Sequence, residues 1–156
     1  MSSPRAPFTV PVADGPLSPW ADRVLAALVG GAASVGFGAL VRLQPDARGH
    51  GTHEQLGWDA CSWPVVYGIP CPTCGCTTAA CLLVHGRIAQ AFVTQPFGAA
   101  FAALGILVGV HAILCLLRGR SFADVLVRWP FWRIVGGGFL LLLASWLYTW
   151  LTWPSP

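Results

Sequence analysis

Three runs of the chain carry almost no polar side chains, and between them charge, proline and glycine return. The first covers residues 24–41, bracketed by Asp22-Arg23 and Arg42. The second covers residues 97–117 and follows Pro96. Proline suits the first turn of a helix, because its missing N–H has no intrahelical partner there in any case. The third covers residues 134–153 and opens on Ile134-Val135-Gly136. At about 1.5 Å rise per residue such runs extend about 27 to 32 Å, matching a hydrocarbon core of about 30 Å. The pattern predicts an all-α membrane protein with about three transmembrane helices. Residues 20–156 form one transmembrane domain in this reading. Residues 1–19, rich in proline and small side chains, form a disordered cytoplasmic tail with no apolar signal-peptide core.

The segment from 42 to 96 holds two apolar stretches too short to cross alone. Residues 77–85 predict a helix with threonines at its start and Gly86 as its stop. Residues 88–94 place Ile88, Ala91 and Phe92 on one helical face. A fourth crossing through residues 76–93 would carry His85 and Arg87 into the bilayer, where ionisable groups are expensive. A short re-entrant or interfacial helical hairpin is the expectation instead. Small residues recur four apart at Gly30, Ser34 and Gly38 and again at Gly105 and Gly109, a spacing that lets helix backbones approach closely. Trp129 and Trp132 lie toward one end of the third span, Trp150 and Trp153 toward the other, as aromatic belts do.

Composition agrees with the pattern. The 156 residues are 55% hydrophobic and only 10% charged, against about 25% charged in a soluble domain. The net charge of +3 is small and scattered, which argues against nucleic acid as a partner and leaves the lipid bilayer, other membrane subunits or further copies of the chain. Lysine is absent, so all basic groups are arginines; with abundant Ala, Gly and Pro this points to a bacterial inner membrane protein. Arg5, Arg23, Arg118, Arg120, Arg128 and Arg133 fall on one side of the three-span topology, and Arg42, Arg48 and Arg87 on the other. That bias sets the N-terminus in the cytoplasm and the 42–96 segment on the extracytoplasmic side.

Chemistry concentrates in that segment. Five of the six cysteines, at 61, 71, 74, 76 and 81, lie within 21 residues, and Cys115 stands apart. Pro72 and Gly75 keep Cys71 and Cys74 in a turn that feeds a helix, and a thiol at a helix N-terminus gains thiolate character. With a helix starting near Cys74, Cys74, Thr78, Cys81 and His85 would form one stripe. Three readings stay open. A disulfide among Cys61, Cys71, Cys74 and Cys76, such as Cys61 with Cys71 or Cys74, would staple the segment in an oxidising compartment. Some of Cys61, Cys71, Cys74, Cys76, Cys81 and His85, with His50 and His53 in reserve, could hold zinc or another thiophilic metal, although one CxxC lacks the second paired ligand set of a typical zinc site. A catalytic dithiol would use Cys71 and Cys74. In the second span, His111 and Cys115 sit four apart on one face, as a hydrogen-bonded pair or as ligands.

The run Tyr67-Gly68-Ile69-Pro70-Cys71-Pro72-Thr73-Cys74-Gly75-Cys76-Thr77-Thr78, followed by His85-Gly86 and Gln95-Pro96, resembles domain-of-unknown-function family 2752. Those small bacterial membrane proteins carry a Cys-Pro-x-Cys-Gly-x-Thr-Arg motif, often with a further cysteine about ten residues earlier, where Cys61 stands here. The resemblance covers roughly residues 58–117 and implies no assigned activity. Two positions depart from it: Thr78 replaces the motif arginine, and Arg87 replaces the acidic residue after His-Gly. The sequence reading favours a non-enzymatic accessory or assembly subunit with a structural Cys motif and no required cofactor. Its alternatives are a membrane thiol–disulfide oxidoreductase using Cys71 and Cys74, and a metal-handling protein.

Overall fold

The computed structural model describes residues 17–153, and among them every regular element is helical. In order these are α1 (Pro19–Arg42), a short 3₁₀ turn (Thr52–Leu56), α2 (Ser62–Tyr67), α3 (Cys76–Val84), α4 (Ile88–Thr94), α5 (Pro96–Arg118), α6 (Ala123–Arg128) and α7 (Phe131–Leu151). Three helices, α1, α5 and α7, are long and apolar enough to cross a membrane. Only 11%, 17% and 11% of their most apolar stretches is buried in the protein. Apolar helices left so uncovered suit a hydrocarbon solvent, and the chain fits a small membrane protein. The predicted tail lies mostly outside the described residues; its last residue, Pro19, already begins α1.

The residues group into two compact units, one of residues up to 32 with 108–129, the other of 33–107 with residues from 130 onward. In the first unit Ala26, Ala112, Cys115 and Phe122 form the core. Gly30 permits the close approach that its spacing predicts: a Cβ there would stand 3.0 Å from Ile113 Cγ1. Asp22, buried in the first turn of α1, caps α6. Its Oδ1 accepts from the Ser121 hydroxyl at 3.2 Å and the Ala123 N–H at 2.7 Å, and its Oδ2 accepts the Phe122 N–H at 3.0 Å. These are orphan donors of a helix start, satisfied from a residue a hundred positions away. His111 and Cys115 pair within α5, with Nε2 3.5 Å from Sγ.

In the second unit α3 and α4 form the expected hairpin. Its core is Ala79, Leu82 and Ala91, joined by Ala99 of α5. Gly86, at φ +77°, breaks the helix while the Arg87 N–H reaches back to the Leu82 carbonyl at 2.9 Å. The 9 residues of α3 rise only about 14 Å, half of a bilayer core. The start of α5 is fixed by two side chains: Gln95 Oε1 accepts the Gly98 N–H at 2.5 Å, and Ser145 Oγ of α7 accepts the Phe97 N–H at 2.8 Å. Gly98 is obligatory here, because a Cβ would lie 2.6 Å from Cys76 Cα. Further along, α7 holds the connecting segment with Trp146 Nε1–H on the Pro70 carbonyl at 2.9 Å and the Tyr148 hydroxyl on the Val93 carbonyl at 2.8 Å.

Candidate functional site: a cavity with three thiols

Residues 44–57 form a compact polar loop that builds one wall. Arg48 Nη2 bridges Asp46 Oδ2 at 2.8 Å and Glu54 Oε2 at 3.0 Å. Hydrogen bonds from the Arg48 side chain, then from its backbone N–H, hold the Asp46 carboxyl down to about 2. Thr52, fully buried, accepts the Asp46 N–H at 3.0 Å and shares a 2.8 Å hydrogen bond with the buried Thr78 hydroxyl of α3. The loop is thereby fastened to the helix that follows the Cys motif. Gly75, at φ +86°, passes so close that a Cβ would stand 2.9 Å from the Gly49 carbonyl oxygen. Left-handed backbone and lack of space both demand glycine at this motif position.

The turn before α3 is closed by the Cys74 N–H on the Cys71 carbonyl at 3.0 Å and the Cys76 N–H on the Thr73 carbonyl at 3.1 Å. Cys61 is the residue before α2, and α2 returns it to this turn. The sulfurs of Cys61, Cys71 and Cys74 all lie within 4.8 Å of one another. They face a cavity of about 400 Å³ whose wall includes Arg48, His53, Glu54, Trp58 and Thr78. Cys74 is buried, whereas Cys61 and Cys71 are partly exposed. All six cysteines are free thiols in the structure.

The thiols differ in acidity. Burial pushes Cys71 up, but hydrogen bonds from Thr73 and Cys74 outweigh it and leave this thiol below its ordinary range. Burial pushes Cys74 up to about 12, with an ionised Cys71 nearby adding to the effect. Cys76 rises to about 11 for the same two reasons. His50 is lowered, by burial first and by Arg48 second.

The predicted residues do not all meet. Cys61, Cys71 and Cys74 converge; Cys81 and His85 lie apart from them on α3. Cys81 Sγ points to the Leu40 and Leu43 carbonyls at 3.5 and 3.4 Å, and His85 Nδ1 stands 2.8 Å from the Cys81 carbonyl oxygen. Cys74 does not join the predicted stripe, because α3 begins at Cys76 and the left-handed Gly75 turns the chain before it, whereas Cys81 and His85 do meet, with Sγ 3.8 Å from Nδ1. Cys76 instead lines a second, apolar cavity. His50 packs at a tilt against Trp153, with ring centroids 4.7 Å apart, and also lines the thiol cavity, as does His53. Thr52 was not singled out from the sequence, Arg48 entered only as one of the arginines that set the topology, and Gln95 only as part of the Gln95-Pro96 step. Only Gln95 left a signal, as a polar residue directly before a proline that starts a helix. The two motif departures have separate surroundings: Thr78 is buried against Thr52, while Arg87 is exposed and donates to Gln90 Oε1 at 2.5 Å. Three converging sulfurs can pair as disulfides, exchange disulfides, or supply soft donors to a thiophilic ion.

Residues 61–110 match the family model described as a protein of unknown function (DUF2752). The match agrees with the resemblance carried by the Cys-Pro-x-Cys motif. It begins at Cys61 and ends inside α5, so the family segment contains all three clustered cysteines, the hairpin, Gln95 and Gly98. The Asp46–Glu54 loop, α1, α6 and α7 lie beyond it. No curated protein and no solved structure matches the chain.

Proposed function

We propose that this chain is a membrane thiol–disulfide exchange protein whose working pair is Cys71 and Cys74, with Cys61 as a third exchange partner. The observation that carries the reading is the convergence of three thiols, one more than a structural staple uses, on one cavity. The partly exposed Cys71 suits attack by or on a substrate, and the buried Cys74 suits the resolving role. In the oxidising direction a substrate thiolate attacks the Cys71 sulfur of a Cys71–Cys74 disulfide, and the released Cys74 takes up a proton. The substrate's second thiolate then displaces Cys71, leaving a substrate disulfide and a reduced protein dithiol that has gained two electrons. With the N-terminus cytoplasmic, as the arginine bias favours, the cavity belongs to the extracytoplasmic side, where dithiol substrates are oxidised.

Thiol trapping in intact cells tests this. In Cys74→Ser the Cys71 thiolate can still attack a substrate disulfide, expelling one substrate thiolate, but lacks its resolving partner. Adducts that a reductant releases are therefore expected to accumulate, and Cys71→Ser is expected to accumulate none. A Cys71–Cys74 pair that stays oxidised through a pulse of reductant, with no adducts, would instead support a structural staple and the accessory-subunit role. A metal ion retained in stoichiometric amount after purification, and lost in Cys61→Ser, would support metal handling instead.

A further inference from the structure

The exchange reading leaves a question of electron balance: a protein that oxidises substrate dithiols must itself be reoxidised. A second cavity of about 500 Å³ lies in the same unit, between α1, α3 and α5. That volume falls within the range of small-molecule and cofactor sites. Its walls come chiefly from the last half of α1 and the first half of α5, both long and apolar enough to cross a membrane. Phe97 and Phe101, stacked with centroids 5.8 Å apart, line it. So do Gly36 and Gly105, where an added Cβ would meet nothing within 4 Å. Thr73 and Thr77 border both this cavity and the thiol cavity. An apolar slot with aromatic walls thus meets a dithiol site across two hydroxyl-bearing residues.

We infer that the α1–α3–α5 cavity binds a membrane-soluble isoprenoid quinone, its ring toward Thr73 and Thr77 and its tail between α1 and α5, and that this quinone reoxidises the Cys71–Cys74 dithiol. The inference rests on the exchange reading. In the step two S–H bonds break and one S–S bond forms; the two electrons and two protons pass to the quinone, which becomes the hydroquinone. Hydroxyl donors suit the ring carbonyls, and stacked phenyl groups suit the ring face. A phospholipid acyl chain would fill the apolar volume equally well but accepts no electrons, so the two occupants are separable by experiment.

The test uses the full chain in lipid nanodiscs, reduced and freed of reductant, then mixed with a short-chain ubiquinone analogue whose fully substituted ring resists thiol addition. One quinone is expected to be reduced for each two thiols lost, and none in Cys71→Ser. The double variant Gly36→Leu, Gly105→Leu fills the cavity at positions with open space. It is expected to slow quinone-dependent oxidation by about tenfold or more, while oxidation by a soluble disulfide such as glutathione disulfide changes by less than about twofold. Gly138→Leu, also at an open helical position outside the cavity, should match the wild type. If the dithiol reacts with the soluble disulfide but not with the quinone, or if the filled variant reduces quinone at the wild-type rate, the quinone inference is overturned and exchange stands. If neither oxidant acts on the dithiol, the exchange reading itself fails.

Discussion

Asp22 and Cys74 are buried to the same degree, each with 6% of its surface exposed, yet their surroundings give them opposite uses. Asp22 spends its acceptor capacity on the start of α6, meeting two backbone N–H groups and a hydroxyl. Cys74 stands at a cavity with its sulfur within 4.8 Å of the Cys61 and Cys71 sulfurs. A buried polar group consumed by local backbone is a structural fastener. One that faces like groups across open volume is available for chemistry. The same contrast separates Cys81, whose thiol closes the carbonyl end of α1, from Cys71, which lines the cavity.

The largest effect expected from this contrast is at Asp22. Asp22→Ala removes the acceptor from two buried backbone donors and should lower stability by about 3 kcal/mol, read as earlier unfolding in detergent. Labelling of Cys71 in the still-folded fraction should be unchanged; a parallel loss of labelling would break the division between fastener and site.

At the thiols the effect is kinetic. Near neutral pH, a Cys74 pushed up from 9.0 to about 12 holds roughly 1000-fold less thiolate than an ordinary thiol. Cys71 is lowered by its hydrogen bonds, so it reacts faster even though the greater intrinsic nucleophilicity of Cys74 offsets part of the difference. Alkylation followed peptide by peptide should show Cys71 modified first, and Cys74 still accelerating as pH approaches 12. The sign for stability follows from the same shift. Between the ordinary value of 9.0 and about 12, the unfolded chain has released a proton that folded Cys74 retains, so stability falls as pH rises through that window. Equal labelling of the two thiols would remove the acidity contrast between them.

A smaller effect is expected from packing. Gly98→Ala drives a methyl group into the Cys76 backbone and should destabilise by about 1–2 kcal/mol. Gly105→Ala, with open space around it, should leave unfolding unchanged in the same measurement.

Much of the architecture was legible in the sequence. The three spans follow from long uncharged runs, and their ends moved by only a few residues, because polar and proline residues that flank an apolar run can still join its helix. The α3–α4 hairpin was legible from run length and from Gly86. Helices α2 and α6 and the 3₁₀ turn were not anticipated; at five or six residues each, they are too short for a hydrophobic period to register. Within the predicted small-residue spacing, Gly30 marks a close contact while Gly38 and Gly105 face open space. Spacing states what could pack and not what does.

The sequence by itself determined that the chain is helical, apolar enough for a bilayer, and chemically concentrated around one Cys-Pro-x-Cys turn. Those properties depend on local composition and on periods of a few residues. Only the tertiary structure decided which cysteines share a cavity, because that depends on how Gly75 turns the chain, where α2 returns Cys61, and how Thr52, Gln95 and Trp146 fasten distant segments together. It also decided that Asp22 is a cap. Long-range hydrogen bonds of this kind leave no periodic trace in the chain; they exist only once the backbone groups they satisfy have been brought together.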